Sequence, residues 1–411
     1  MVKVLLIESE PETRALAERA LTAPDMKVTS AEDYQSGWEM LCGQIPTVIV
    51  IGINVPDLHG YDLCQQIRRE ADFEDVPVVI CSAQPYPADI RRAKELGADE
   101  YVIKPFTEQQ LRAAVWSAVE MRSSVFRVKF WGTRGSIATP GPETIRYGGN
   151  TACVEVRCGE DVLIFDCGTG IRELGIELAR QYAERNLEVH LFVSHMHWDH
   201  IQGFPFFQPA YRAGNRVNIF SLHSPDRSLE KLFTGQMDGN YFPVTLDDLM
   251  ARLHFEELGT GDIHIGDMQI SHMHLNHPGL ALAFRIEAKG RSVVYMTDHE
   301  PYHKLLGASP HTKKLDDEID SFAKQSDLLI REAQYTDEEY VHKRGWGHSS
   351  TTDAVSSAIN ADTKRLILFH HDPMHDDQQV DAMVEFCREK IREQGKSIRV
   401  AGAADKLTLR I

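Results

Sequence analysis

The chain of 411 residues contains no run of about 18 apolar residues, which argues against a membrane-spanning helix. Its first residues, Met1-Val2-Lys3-Val4-Leu5-Leu6-Ile7-Glu8, reach an acid after a four-residue apolar run and carry no small-residue cleavage site. They read as a first strand and not as a signal peptide, so the expected compartment is the cytoplasm. No CxxC pair occurs among the seven cysteines (42, 64, 81, 153, 158, 167 and 387). That spacing argues against a disulfide framework or a thiolate zinc site. A basic excess is also missing, because 44 basic and 61 acidic residues give a formal charge of −17. Long nucleic acid needs a basic face, so it is an unfavourable partner. There is no internal repeat and no low-complexity segment. At 42% hydrophobic and 26% charged, the composition is that of a globular protein with two or three domains.

What stands out is 19 histidines, of which only His59 and His190 precede His195. Residues 1–122 have a different grammar from the rest of the chain. Apolar runs at Val4–Ile7, Val48–Ile53, Val76–Cys81 and Tyr101–Ile103 alternate with helical spacing over Pro11–Leu21, Tyr61–Arg69, Ala88–Leu96 and Glu108–Met121. Such alternation predicts a parallel sheet covered on both faces. After a short junction at residues 123–126, strand-like runs are separated by Gly/Pro/Asn loops such as "GTRGSIATPGPE", "YGGNTA" and "DCGTG".

The segments "KVLLIESEPETR", "PTVIVIGINVPDLHGYDL", "VPVVICSAQ" and "GADEYVIKPF" resemble two-component receiver domains over about 120 residues. The resemblance implies a flavodoxin-like (βα)5 fold over 1–123 and aligns Ser82 and Lys104 with that family's switch hydroxyl and lysine. Its acidic pair reads Glu8-Ser9 here, and the phosphoacceptor position reads Gly52, which has no nucleophile. Asp57, in the following loop, is a weak substitute. A non-phosphorylatable pseudo-receiver used for docking or dimerisation is the expectation, with a homodimer paired through Glu108–Met121.

In the later half, Val189–Val193 runs into Ser194-His195-Met196-His197-Trp198-Asp199-His200. Three imidazoles and a carboxylate within six residues are donors that borderline divalent cations accept. This HxHxDH motif resembles the metallo-β-lactamase superfamily, and four further motifs follow its order. Asp166 in "FDCGTG" matches a structural motif; His277 in "LNHPGLALAFRI", Asp298 in "VVYMTDHE" and His370 in "RLILFHHDP" match ligand motifs. The resemblance implies an αββα sandwich over 124–411 and two divalent cations. One site would use His195, His197 and His277, the other Asp199, His200 and His370, with Asp298 bridging. Zinc is the expected metal, and manganese or iron suit the same nitrogen and oxygen donors. His272 and His274 read as surface or core positions, and His370 is preferred over His371.

Glu332 in "LLIREAQY" and His348 in "WGHSS" resemble elements of the RNase Z and cyclic phosphodiesterase branch, although Gln334 replaces that branch's threonine. "GTRGSIATPGPETIRYGGNT" resembles the same branch. The chemistry this implies is hydrolysis of a small cyclic nucleotide or related cyclic phosphodiester by a metal-bridging hydroxide. Asp199 would help orient it, and His348, oriented by Glu332, would protonate the leaving oxygen. Competing readings are an RNA-processing nuclease, a thioester hydrolase, a lactamase, or a signalling adaptor with a vestigial metal domain. The long segment Gly203–Leu253 carries Phe204, Phe206, Phe207, Tyr211, Tyr241 and Phe242. They read as a small local core, or as a lid on which Tyr241 and Phe242 stack a base.

Overall fold

The computed structural model describes residues 2–411 apart from 57, 71–72, 74–75, 124–125 and 223–226, and apart from the side chains of 55 and 120–123. Asp57 and part of the junction at 123–126 therefore lie outside the described residues. The chain forms two units, residues 1–125 and 126–411.

In the first unit, five strands form one parallel sheet: Val2–Ile7, Met26–Ala31, Val48–Gly52, Val78–Ser82 and Glu100–Ile103. The first strand lies between the second and third, and the others follow in chain order. Burial on both faces explains why the inner strands Val48–Gly52 and Val78–Ser82 are almost wholly apolar, whereas the edge strand Met26–Ala31 keeps Lys27 and Thr29 exposed. Leu5, Ile7, Ile49, Ile51 and Ile80 pack with Leu63 and Ile67 of the helix Gly60–Arg69. Their neighbours Val4, Leu6, Val48, Val50 and Val79 pack on the other face with Ala17, Leu21, Leu111 and Val115. A strand buried on both faces has no polar side to show.

The second unit holds two seven-stranded sheets. One includes Cys153–Cys158, Asp161–Phe165 and Glu188–Phe192; the other includes Ala281–Ala288, Arg291–Met296, Leu328–Glu332 and Arg365–Phe369. Phe165, Phe192, Phe284, Tyr295 and Phe369 fill the space between them. Outside the first sheet, Ile164, Leu191 and Ile219 pack under Leu174 and Leu178 of the helix Ile171–Gln181. Outside the second, Leu329, Leu366 and Leu368 pack under Ile319, Ala354, Ala358 and Val384. The result is a four-layer αββα sandwich.

Within Gly203–Leu253, Phe204 and Phe207 are buried in the outer core with Phe233. Phe242 packs on Phe206, their ring centroids 5.3 Å apart, whereas Tyr241 is 83% exposed. Among the described residues no helix is long and apolar enough to cross a membrane.

Candidate metal centre

The site is built at strand ends. Asp166 follows Asp161–Phe165, residues 194–200 follow Glu188–Phe192, Asp298 follows Arg291–Met296, and His370 follows Arg365–Phe369. Neighbouring parallel strands within each sheet point their carboxyl ends the same way, and the side chains that leave those ends meet. Asp166 and His370 take left-handed backbone angles, φ 61° and 58°, as the chain turns off its strand.

Two groups of donor atoms come together, each within 4.8 Å of one another: His195, His197, His277 and Asp298, and Asp199, His200, Asp298 and His370. Asp298 belongs to both. Its Oδ2 lies 3.5 Å from His195 Nε2 and 3.7 Å from His277 Nε2. Its Oδ1 lies 3.4 Å from His200 Nε2 and 3.2 Å from His370 Nε2. Asp199 Oδ2 is 3.1 Å from His370 Nε2 and accepts the Ser136 N–H at 2.7 Å.

The outward edges of the rings decide which nitrogens face inward. His277 Nδ1 is 2.9 Å from the Gly347 carbonyl, which can only accept, so Nδ1 carries the proton and Nε2 keeps its lone pair. His200 Nδ1 lies 2.8 Å from Asp166 Oδ2, and His370 Nδ1 lies 3.1 Å from Gln334 Oε1. In neutral rings these arrangements turn bare Nε2 atoms toward one another: His200 Nε2 and His370 Nε2 are 3.2 Å apart. Two lone pairs at that distance repel unless a cation or a proton sits between them. His195 Nε2 is buried without a hydrogen-bond partner. A divalent cation accepts all these lone pairs at once, so the donor set fits the metal that the sequence resemblance implies.

The electrostatics agree. Burial opposes charge on His200, but Asp199, Asp298 and Asp166 outweigh it and hold its pKa well above the usual histidine value. Burial also opposes charge on Asp298, yet His370, His200 and His195 hold it ionised, far below the usual carboxylate range. Asp199 is likewise held down by His200 and His370 against burial. Burial, with His200 next to it, keeps His195 neutral.

Asp166 is fully buried and outside both donor groups. It accepts from Ser194 N, Ser194 Oγ and the Tyr295 hydroxyl at 2.7, 2.8 and 2.6 Å. It thereby ties the histidine loop to the opposite sheet. His371 turns away, its Nε2 at 2.9 Å from the Ala403 carbonyl. His272 is half-buried and His274 exposed, both outside the two groups.

His348 borders the centre. Its Nδ1 lies 3.9 Å from Asp298 Oδ2, and its ring centroid is 5.2 Å from those of His277 and His370. That Nδ1 is buried without a partner, and burial pushes the ring's pKa down to about 3. Glu332 does not hold this ring, contrary to the expectation from the sequence. Its Oε1 accepts Ser349 N–H and Oγ–H, both at 2.6 Å, and its Oε2 accepts Gln334 N–H at 3.1 Å. The carboxylate ends a buried strand, where the nearest donors belong to the residue after His348. It therefore fixes the backbone that carries the ring.

Sequence reasoning missed several contributors. Glu300, two residues past Asp298, accepts the Tyr340 hydroxyl and the N–H groups of Gly345 and Gly347 at 2.7, 2.8 and 2.9 Å. It holds the loop that supports both His277 and His348. Gly347 has φ 90°, and a Cβ there would meet His277 Nδ1 at 2.3 Å, so only glycine fits. Gln334 and Ser136 brace His370 and Asp199. The acid in "TDHE" and the glycines around Trp346 were the available signals. Tyr241 and Phe242 lie outside both donor groups.

A family model of the β-lactamase superfamily domain matches residues 162–371, just over half of the chain and all seven of these donor residues. The chain belongs to the metallo-β-lactamase superfamily. This superfamily member also matches the response regulator receiver domain over residues 4–116. It is similar to the metallo-β-lactamase fold protein YhfI from Bacillus subtilis, with TM-score 0.51, 17% identity, and coverage of 70% of this chain and 100% of that one. Unliganded yeast PDE1 gives TM-score 0.52 at 14% identity, covering 70% of this chain and 100% of that one. At these identities the likeness is one of fold.

Among curated proteins, the probable transcriptional regulator ycf27 of Guillardia theta is 34% identical over 113 residues, 28% of this chain and 43% of that protein. Transcriptional regulatory protein AfsQ1 of Streptomyces coelicolor is 31% identical over 115 residues, 28% of this chain and 50% of that protein. The chain spans about half the length of these curated relatives.

In the receiver unit, Glu8 occupies the acceptor slot. A Cβ at Gly52 would lie 2.5 Å from Glu8 Oε2, which is paired with Lys104 Nζ at 2.7 Å.

Proposed function

We propose that this protein is a dinuclear, metal-dependent phosphodiesterase that hydrolyses a small cyclic nucleotide or related cyclic phosphodiester. The observation that carries the reading is the sharing of Asp298, one oxygen facing each donor group, with His348 beside it. His195, His197 and His277 would hold one cation and Asp199, His200 and His370 the other. Zinc is the first choice, and manganese or iron suit the same donors. Bound divalent cations supply Lewis acidity, which activates water near neutral pH and stabilises charge on phosphoryl oxygens.

The remaining work falls to the chain. His348 carries the proton for the departing ribose oxygen. Its ring is neutral without substrate, and an anionic phosphodiester beside it supplies the counter-charge that an imidazolium needs. Glu332 and Glu300 position this ring through the backbone on either side of it. Asp199, held by Ser136 N–H within the second donor group, would also help orient the attacking water. With the first 123 residues accounting for −8 of the charge, the rest of the chain carries −9, which suits a small substrate better than long RNA. The receiver unit, its acceptor position a glycine, acts in docking or in pairing two copies of the chain.

The test is metal content together with hydrolysis of bis-nitrophenyl phosphate, nitrocefin, an acylated thiol and a panel of cyclic nucleotides. Two metals per chain with cleavage confined to phosphodiesters is the expected result. Preference for nitrocefin or the thioester overturns the reading.

A further inference from the structure

Arg331 is the penultimate residue of the strand Leu328–Glu332, and strand alternation puts it on the outer face with Leu329. It is 1% exposed, in a layer of apolar side chains beneath the surface helices. A guanidinium offers five N–H donors, and burying it is unfavourable unless acceptors meet them. Here its Nε has no hydrogen-bond partner. Its Nη1 reaches only the carbonyl and Oε1 of the adjacent Glu332, both at a long 3.4 Å.

Arg331 lines a cavity of about 450 Å³ on the outer side of the sheet. The walls come from the helices Tyr302–Leu306, Pro310–Phe322 and Thr351–Asn360, and include His299, Lys304, Asp320, Ser356 and Asn360. The other cations on those walls already have carboxylates. Lys304 pairs with Asp353 at 2.7 Å, His303 with Asp316 at 2.7 Å, and Lys313 with Asp317 at 2.6 Å. Asp320 is bound by Ser357 Oγ and Asn360 Nδ2 at 2.5 and 2.8 Å. His299, which also lines the cavity, accepts the Asn276 N–H on Nδ1 at 3.1 Å, which leaves Nε2 as the ring's donor. One buried cation with unmet donors therefore lines a space large enough for a small metabolite.

We propose that this cavity is a second binding site, separate from the metal centre, for a small molecule bearing a carboxylate or phosphate group that pairs with Arg331. The planar fork of the guanidinium suits two-point recognition of either oxyanion. The site lies directly behind the chemistry, because Arg331 precedes Glu332 and His299 follows Asp298. It stands on Arg331 and the cavity alone and does not depend on which reaction the metal centre performs.

The experiment is calorimetric titration of the metal-loaded full chain with inorganic phosphate, against two variants. Wild type is expected to show two classes of site, one at the metals and one at Arg331. Arg331→Gln and Ser356→Trp should each remove one class and leave the other. Ser356 is exposed on its helix, so filling the cavity mouth from there leaves the fold and basal hydrolysis of bis-nitrophenyl phosphate within twofold of wild type. Should Arg331→Gln fail to fold, Ser356→Trp decides. Repetition with acetate assigns the ligand: equal competition at this site indicates a carboxylate, and none indicates a phosphate. A single class of phosphate site in wild type, or two classes unchanged in Ser356→Trp, overturns the proposal.

Discussion

Both units gather charged side chains at the carboxyl ends of parallel strands, but among the described residues only one leaves them unsatisfied. In the receiver unit the buried Glu8 carboxylate meets Lys104 at 2.7 Å and fills the slot beside Gly52, so the cluster is complete within the chain. In the metallo-β-lactamase unit, His195 Nε2 has no partner, and His200 and His370 present Nε2 atoms to each other at 3.2 Å. A cluster whose charges cancel needs no ligand. One whose lone pairs converge is stable only around a cation or a proton.

The sharpest way to break this comparison is Asp298→Ala, which removes the carboxylate facing both donor groups. Metal content should fall from two to below one per chain by elemental analysis, and turnover by at least about 10²–10³-fold. Retention of two metals would show that the groups do not share it.

His348→Ala comes next. Turnover of a substrate with an alkoxide leaving group should fall on the order of 10²–10⁴-fold. A nitrophenolate leaving group should lose far less, because it hardly needs a proton, and metal content should stay at wild-type level. Equal losses for both substrates would exclude the acid role.

Gln334→Leu tests the bracing of His370. Loss of an outer partner typically weakens metal affinity by about 10–100-fold, and chelator competition should show this at one site only. In the receiver unit, Gly52→Asp should gain no phosphorylation from acetyl phosphate, because Glu8 blocks the slot. It should lower stability by about 1–3 kcal/mol through overpacking, read in a thermal melt, with phosphodiester turnover unchanged.

A smaller effect concerns Asp405, a half-buried carboxylate with one buried, unmatched oxygen, Oδ1. Burial raises its pKa to about 6 against the hydrogen bonds from Asn150. With the folded value above the unfolded one, the stabilisation is complete at low pH and lost as pH rises through about 6. Asp405→Asn should therefore flatten the decline in melting temperature between about pH 4 and pH 6.

Much of this was readable in advance. The alternation of fully apolar strands with helices signals a doubly covered sheet, because period 2 and burial on both faces leave one compatible arrangement. The six residues from His195 to His200 mark donors by residue type after an apolar strand, and the superfamily resemblance added His277, Asp298 and His370 to the set. Glu332 and His348 were also visible, but not their relation. The carboxylate grips Ser349, the ring's neighbour, since hydrogen bonds at a strand end depend on backbone placement that no local pattern encodes. Phe204 and Phe207 lie in core under the helix Ile171–Gln181, where a run of aromatics alone did not separate core from lid.

The sequence by itself therefore determined which chemistry is available: imidazoles and carboxylates in the metal-binding unit, and a glycine where an acceptor would be needed in the other. Only the tertiary structure decided how those groups are used. Ring orientation, the sharing of Asp298, and the placing of Arg331, with its donors only partly met, against a cavity depend on contacts between residues far apart in the chain. Hydrogen-bond direction and burial fix those contacts, and both are properties of the packed fold.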